Sequence, residues 1–297
     1  MIRAELCEDG VLELRLCDPK GENRLGRADY LDFFGELTSC AGPKCPLKGI
    51  VLLAEHPEGA KRRFSVGADL RELLTDLETP ELAIDRIARC SRPAAVALEE
   101  FARFGVHSVA AISGVAAGGG FELALACSER FGVVGERRLV GLPEVLVGLV
   151  PGNGGIQRLP RLVDREHRAE VLNGIRTGTY WSSEDALRLG LISRLLRSEE
   201  LVAAAHARVL ELEGQTSRSP LHEEPFEMPA LPTFGALQCS DEVRARLDAT
   251  LDTIVVTTAR TGADYSARLA IERDPVLGWQ EAAKLGLWRE RIPALLG

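Results

Sequence analysis

The chain predicts an α/β fold over its first two-thirds, followed by a helical C-terminal region. Three observations carry this reading: short apolar runs suited to strands, helical periodicity between them, and a change of pattern from about Leu187 onward. At 297 residues and 45% hydrophobic content, the chain can bury a substantial core, as one large domain or two small ones.

Taken in order, Val11–Cys17, Gly49–Glu55, Val109–Ser113 and Phe131–Gly135 read as strands. Leu201–Leu212 and Asp241–Thr258 read as helices, the second with Val243, Leu247, Leu251, Ile254 and Val255 on one stripe. Between these helices, a connector over about 214–239 contains Pro220, Pro225, Pro229 and Pro232, which cannot continue a helix. It is expected to run extended over the surface, either dividing two folding units or leading into a helical cap. No internal repeat or low-complexity tract is present.

Composition narrows the function class. A formal charge of −8 argues against an extended nucleic-acid footprint, which needs clustered Lys and Arg on one face. The seven cysteines are odd in number, with no CxxC pair and no His spacing suited to zinc, so the reading is a reduced, cytoplasmic protein without a metal. The N-terminus carries charges of both signs and passes straight into a strand, unlike a signal or transit peptide. No apolar run approaches the roughly 18 residues of a membrane span.

Three segments carry chemistry. In SGVAAGGGFELALAC, residues 113–127, Gly114, Gly118, Gly119 and Gly120 lie between a predicted strand and a helix expected to begin near Phe121. The spacing is neither GxGxxG nor GxxxxGK[ST], which excludes a dinucleotide fingerprint and a P-loop. What remains is a set of unpaired amides at a helix start, able to stabilise charge developing on an oxygen, with Glu122 beside them. In RRFSVGADLRELL, residues 62–74, Gly67 breaks a strand-to-helix passage and Asp69 is expected to cap the helix rather than catalyse. In GLPEVLVGLVPGNGGIQRLPRLV, residues 141–163, Glu144 follows a proline suited to a helix start, and PGNGG makes another tight turn.

In this order the three segments closely resemble the motif series of the crotonase superfamily, the enoyl-CoA hydratase/isomerase family. The similarity runs from about residue 10 to 196 and includes SSEDALRLGLISRLL at 182–196. The resemblance implies a crotonase-like spiral of ββα units over residues 1–196 and a helical region over 197–297. It also implies an acyl-CoA substrate, with coenzyme A as part of the substrate and no further cofactor, and assembly as a homotrimer or dimer of trimers. It assigns the oxyanion donors to the backbone N–H groups of Val66 and Gly119, and the catalytic pair to Glu122 as base and Glu144 as acid. Ser65, Val66, Gly67, Ala68, Asp69, Gly118 and Gly119 are assigned to substrate binding. Lys61, Arg62 and Arg63 are candidates for the phosphates of coenzyme A, against the alternative of a solvated charge run.

Because both glutamate positions are filled, the resemblance points to syn hydration of a 2-enoyl-CoA thioester. An isomerase or a C–C bond hydrolase of the same superfamily, or an idle scaffold or RNA-binding member, are the alternatives. Three departures from the family pattern stand out: Val66 where alanine is common, a segment between the glutamates about two residues longer than usual, and Val106-His107 in place of Lys-Pro. His107 reads as a structural histidine, and Tyr180 and Trp181 as packing residues.

Overall fold

The computed structural model describes residues 2–40, 47–79 and 90–217, together with Arg289, Ile292 and Pro293. Most of the expected connector and the helix over 241–258 lie outside the described residues.

Three sheets organise the fold. The first has six strands in the order β1 (Ile2–Leu6), β2 (Val11–Leu16), β4 (Gly49–Ala54), β7 (His107–Ile112), β9 (Glu129–Val133) and β12 (Arg194–Leu196). Only β1 runs antiparallel to its neighbour. The second sheet is shorter, in the order β11 (Tyr180–Trp181), β10 (Val140–Gly141), β8 (Val115–Ala117) and β5 (Arg63–Ser65). The third pairs β3 (Arg24–Leu25) with β6 (Gly67–Ala68). Strands β2, β4, β7 and β9 of the first sheet are each followed by a short strand in another sheet and then by a helix or turn. That repeat is the ββα spiral.

Strands β4 and β7 are buried along their whole length, GIVLLA and HSVAAI. Continuous burial follows from parallel strands covered on both faces. Helix α1 (Arg27–Ser39) follows β3, α2 (Leu70–Glu78) follows β6, and α3 (Arg92–Arg103) precedes β7. Helix α4 (Gly119–Leu125) follows β8 and is almost entirely buried. Next come α5 (Gly155–Leu162), α6 (Arg168–Thr177), α7 (Ser183–Arg188) and α8 (Leu201–Glu211).

Near the end of the span expected to form the core, β12 pairs in parallel with β9, Arg194 opposite Phe131. The following helix, α8, lies on β4 and β7 so closely that a Cβ added at Gly49 would stand 2.5 Å from Val209 Cβ. His107, the first residue of β7, is a satisfied structural histidine, with Nδ1 3.0 Å from Ser128 Oγ and Nε2 2.6 Å from the Gln215 carbonyl. No helix among the described residues is long and apolar enough to cross a membrane.

Candidate active site

Two neighbouring parallel strands, β5 and β8, end side by side, with Ser65 opposite Ala116, and each then turns toward a helix. The two turns abut. A Cβ built on Gly67 would lie 2.8 Å from the Ala117 carbonyl oxygen and 3.5 Å from Gly118 Cα, so only glycine admits this contact. Gly118 itself has φ +51°, which side-chain-bearing residues rarely adopt. The other two glycines of the triplet answer to proximity: a Cβ at Gly119 would meet the Tyr30 hydroxyl at 2.7 Å, and one at Gly120 would collide with Ser65. The triplet therefore brings a helix start directly against the FSVGAD turn.

Which amides remain available follows from the pairing. Val66, expected to donate to the substrate, gives its N–H to the Glu22 carbonyl at 3.0 Å. Gly67 donates to Ser65 Oγ at 3.1 Å, and Asp69 to the Leu25 carbonyl at 3.2 Å. Successive amides of a strand point to opposite sides, and β6 pairs only with β3. The Ala68 N–H consequently points away from β3, on the side of the cavity that Ala68 lines. On this turn the amide facing the cavity is thus that of Ala68 and not that of Val66. Gly119 is the first residue of α4, where an N–H has no acceptor within the helix, and it lines the same cavity.

That cavity has a volume of about 570 Å³ and is walled mainly by apolar residues such as Leu70, Leu73, Val147 and Leu149. Glu122 and Glu144 both line it. Their surroundings differ. Glu122 is 3% exposed, and its Oε1 accepts N–H bonds from Asn153 at 2.9 Å and Gly155 at 2.8 Å. Burial raises its pKa to about 6, while those two amides and the Arg158 guanidinium pull the other way. Glu144 begins a 3-10 turn, Glu144–Val147, directly after Pro143. Its Oε2 is buried with no hydrogen-bond partner among the described residues. Burial, and then the nearby Glu122 charge, hold its carboxyl well above the ordinary value.

The turn that clamps Glu122 is itself anchored. Arg158 Nε pairs with Glu99 at 2.7 Å, both side chains 3% exposed, and Arg158 Nη1 donates to the Asn153 carbonyl at 2.9 Å. Gly154, between the two donating amides, has φ +97°, and a Cβ there would run into the Arg158 guanidinium. The Asn153 side-chain amide lines the cavity, 6% exposed, with neither Oδ1 nor Nδ2 bonded to a described residue.

Other expected residues are placed elsewhere. Ser65 is fully buried and faces inward, its hydroxyl donating to the Asn23 carbonyl at 2.7 Å, so it pins the turn instead of touching substrate. Asp69 caps α2, accepting from Arg71 N–H at 2.8 Å, and does not line the cavity. Lys61, Arg62 and Arg63 also lie outside the lining; Arg62 bonds Ser198, and Arg63 stands 3.7 Å from Glu22. Trp181 packs in the core, whereas Tyr180 lines the cavity with Arg138 over its ring. Away from the cavity, Cys7, Asp9 and His206 bring possible ligand atoms within 4.8 Å of one another. Glu13 holds His206 Nε2 at 2.6 Å, and the group ties α8 to the turn between β1 and β2.

Known proteins match this architecture. The family model described as enoyl-CoA hydratase/isomerase matches residues 7–222. Among curated proteins, the fatty acid oxidation complex subunit alpha of Colwellia psychrerythraea is 33% identical over 207 residues, 69% of this chain and 26% of that protein. The corresponding subunit of Pseudomonas syringae pv. tomato is 34% identical over 206 residues, with the same coverage. The chain thus spans about a quarter of the length of these curated relatives. Among solved structures, an enoyl-CoA hydratase from Geobacillus kaustophilus superposes with TM-score 0.59 at 28% identity, covering 69% of this chain and 72% of that one. One from Bacillus halodurans, 18% identical, shares the fold with TM-score 0.66 over 99% of both chains.

Proposed function

The chain belongs to the enoyl-CoA hydratase/isomerase family, the crotonase superfamily, and from that premise we propose that it adds water across the 2,3 double bond of a 2-enoyl-CoA thioester. The observation that carries this reading is the pair of acids on one cavity with unequal surroundings: Glu122 Oε1 accepts two backbone N–H bonds, while Glu144 Oε2 is buried with no partner among the described residues, and burial raises both carboxyls. At neutral pH one is a base and the other an acid.

In the proposed reaction the thioester oxygen sits against the Ala68 and Gly119 amides. Glu122 takes a proton from water as its oxygen bonds to C3. The C2–C3 π electrons move toward the thioester, leaving an enolate whose oxygen charge the two amides stabilise more than they stabilise the neutral carbonyl. Glu144 then gives its proton to C2. The catalyst ends with Glu122 protonated and Glu144 ionised, and one proton returning from Glu122 to Glu144 restores it. The Asn153 side-chain amide, without a partner among the described residues and beside the Glu122 clamp, offers the attacking water a further hydrogen-bond partner. No step calls on a metal or a cofactor beyond the coenzyme A of the substrate.

Assembly as a homotrimer or dimer of trimers belongs to the same proposal, and mass by light scattering tests it. The reaction is tested with but-2-enoyl-CoA, following loss of the conjugated thioester absorbance and identifying the 3-hydroxyacyl product. Formation of that product supports the reading. A folded sample that hydrates no 2-enoyl-CoA of any chain length contradicts it.

A further inference from the structure

Once the hydration machinery is assigned, one charged group in the cavity lining remains without a task. Arg138 precedes β10 by two residues, and its guanidinium carbon stands 4.1 Å from the centroid of the Tyr180 ring. Among the described residues no carboxylate lies within ion-pair distance of it, although the chain carries 44 Asp and Glu. Arg138 is solvent-exposed, and a guanidinium over an aromatic face keeps N–H groups for another partner, their fork matching a carboxylate. Tyr180 also fixes where the charge stands: it sits on β11, hydrogen-bonded in register with β10 opposite Gly141. Glu144 is close enough to act electrostatically on Tyr180, and other residues of the same cavity, including Leu146 and Val147, are apolar and suit a hydrocarbon chain.

We propose that Arg138, held on the Tyr180 ring at the edge of the cavity, binds a carboxylate on the acyl chain, so that the preferred substrate is a 2-enoyl thioester of a dicarboxylic acid. The inference rests on the hydration reading for the word substrate, but the carboxylate subsite does not depend on turnover. A phosphate of coenzyme A is the competing anion, and it is common to every acyl-CoA.

The test compares thioesters of equal length ending in a carboxylate or a methyl group. Pent-2-enedioyl-CoA and hex-2-enedioyl-CoA are set against pent-2-enoyl-CoA and hex-2-enoyl-CoA in kcat/KM. Saturated pentanedioyl-CoA and pentanoyl-CoA, which cannot be hydrated, are compared in Kd. The wild type should favour the acidic member of at least one unsaturated pair, and of the saturated pair, by about tenfold or more, the scale of one charge-assisted hydrogen-bonded pair. Arg138→Met should abolish that ratio, and Arg138→Lys should restore part of it. A neutral preference in the wild type overturns the subsite. So does a ratio unchanged in Arg138→Met, because loss shared equally by both series marks a contact to coenzyme A. If no unsaturated thioester turns over, the hydration reading fails, and the saturated pair still decides the subsite by the same tenfold criterion.

Discussion

Glu122 and Glu144 are the same residue type on the wall of one cavity, yet the chain treats them in opposite ways. Glu122 stands in a buried helix and receives two amide N–H bonds from a turn locked by the Glu99–Arg158 pair. Glu144 stands on a short 3-10 turn with one oxygen buried and without a hydrogen-bond partner among the described residues. Burial raises the proton affinity of both; two amide N–H bonds then oppose it at Glu122, while the Glu122 charge adds to it at Glu144. Role is thus set less by which acid is present than by how many donors the surrounding backbone aims at it.

The largest effect comes from removing either member. Glu122→Gln and Glu144→Gln should each lower kcat by about 10²–10⁴ with the fold retained, read from hydration kinetics beside circular dichroism. If one of the two leaves kcat within a factor of ten, the division of labour is wrong. Next is the clamp. Arg158→Met takes the guanidinium from the buried Glu99 carboxylate and should cost about 3–5 kcal/mol, read as the change in unfolding free energy in a urea titration. Glu99→Gln with Arg158→Met should recover part of that loss.

A smaller effect is the pH profile. Turnover needs Glu122 ionised, so kcat/KM should fall about tenfold per pH unit below about 6. A profile flat down to pH 5 contradicts the assignment of Glu122 as base. The smallest is in stability. Both folded-state values lie above the ordinary glutamate value of 4.5. The native protein therefore keeps protons that the unfolded chain has released, and stability present below pH 4.5 is lost as pH rises through about 6 for Glu122 and higher for Glu144. Glu144→Gln, neutral at every pH, should raise Tm at pH 8 by a few degrees, given roughly 2–4 °C per kcal/mol, and the gain should shrink toward pH 4.

How far the sequence could reach depends on how local each determinant is. Gly118–Gly120 with Glu122, and the Pro143-Glu144 start, are short-range signals, and both acids reach the cavity as expected. The first oxyanion donor is not local. Whether Val66 or Ala68 has a free amide is decided by pairing with Glu22 and Leu25, about forty residues earlier, and nothing within FSVGAD encodes that register. Arg158 was invisible for the same reason, since its partner Glu99 lies 59 residues away. β12 is illegible because one exposed and two half-buried residues carry little alternation, and its place follows from pairing with β9. Tyr180 reads as packing in isolation, and only the pairing of β11 with β10 brings it to the cavity beside Arg138.

The proton partition between the two glutamates can be observed directly by infrared difference spectroscopy on protein carrying ¹³C-labelled glutamate. At pH 7.5 the account predicts a protonated-carboxyl band that disappears in Glu144→Gln and that in Glu122→Gln still belongs to Glu144 but titrates away at a lower pH than in the wild type, because the Glu122 charge is gone. Absence of that band in the wild type, or its loss only in Glu122→Gln, would contradict it.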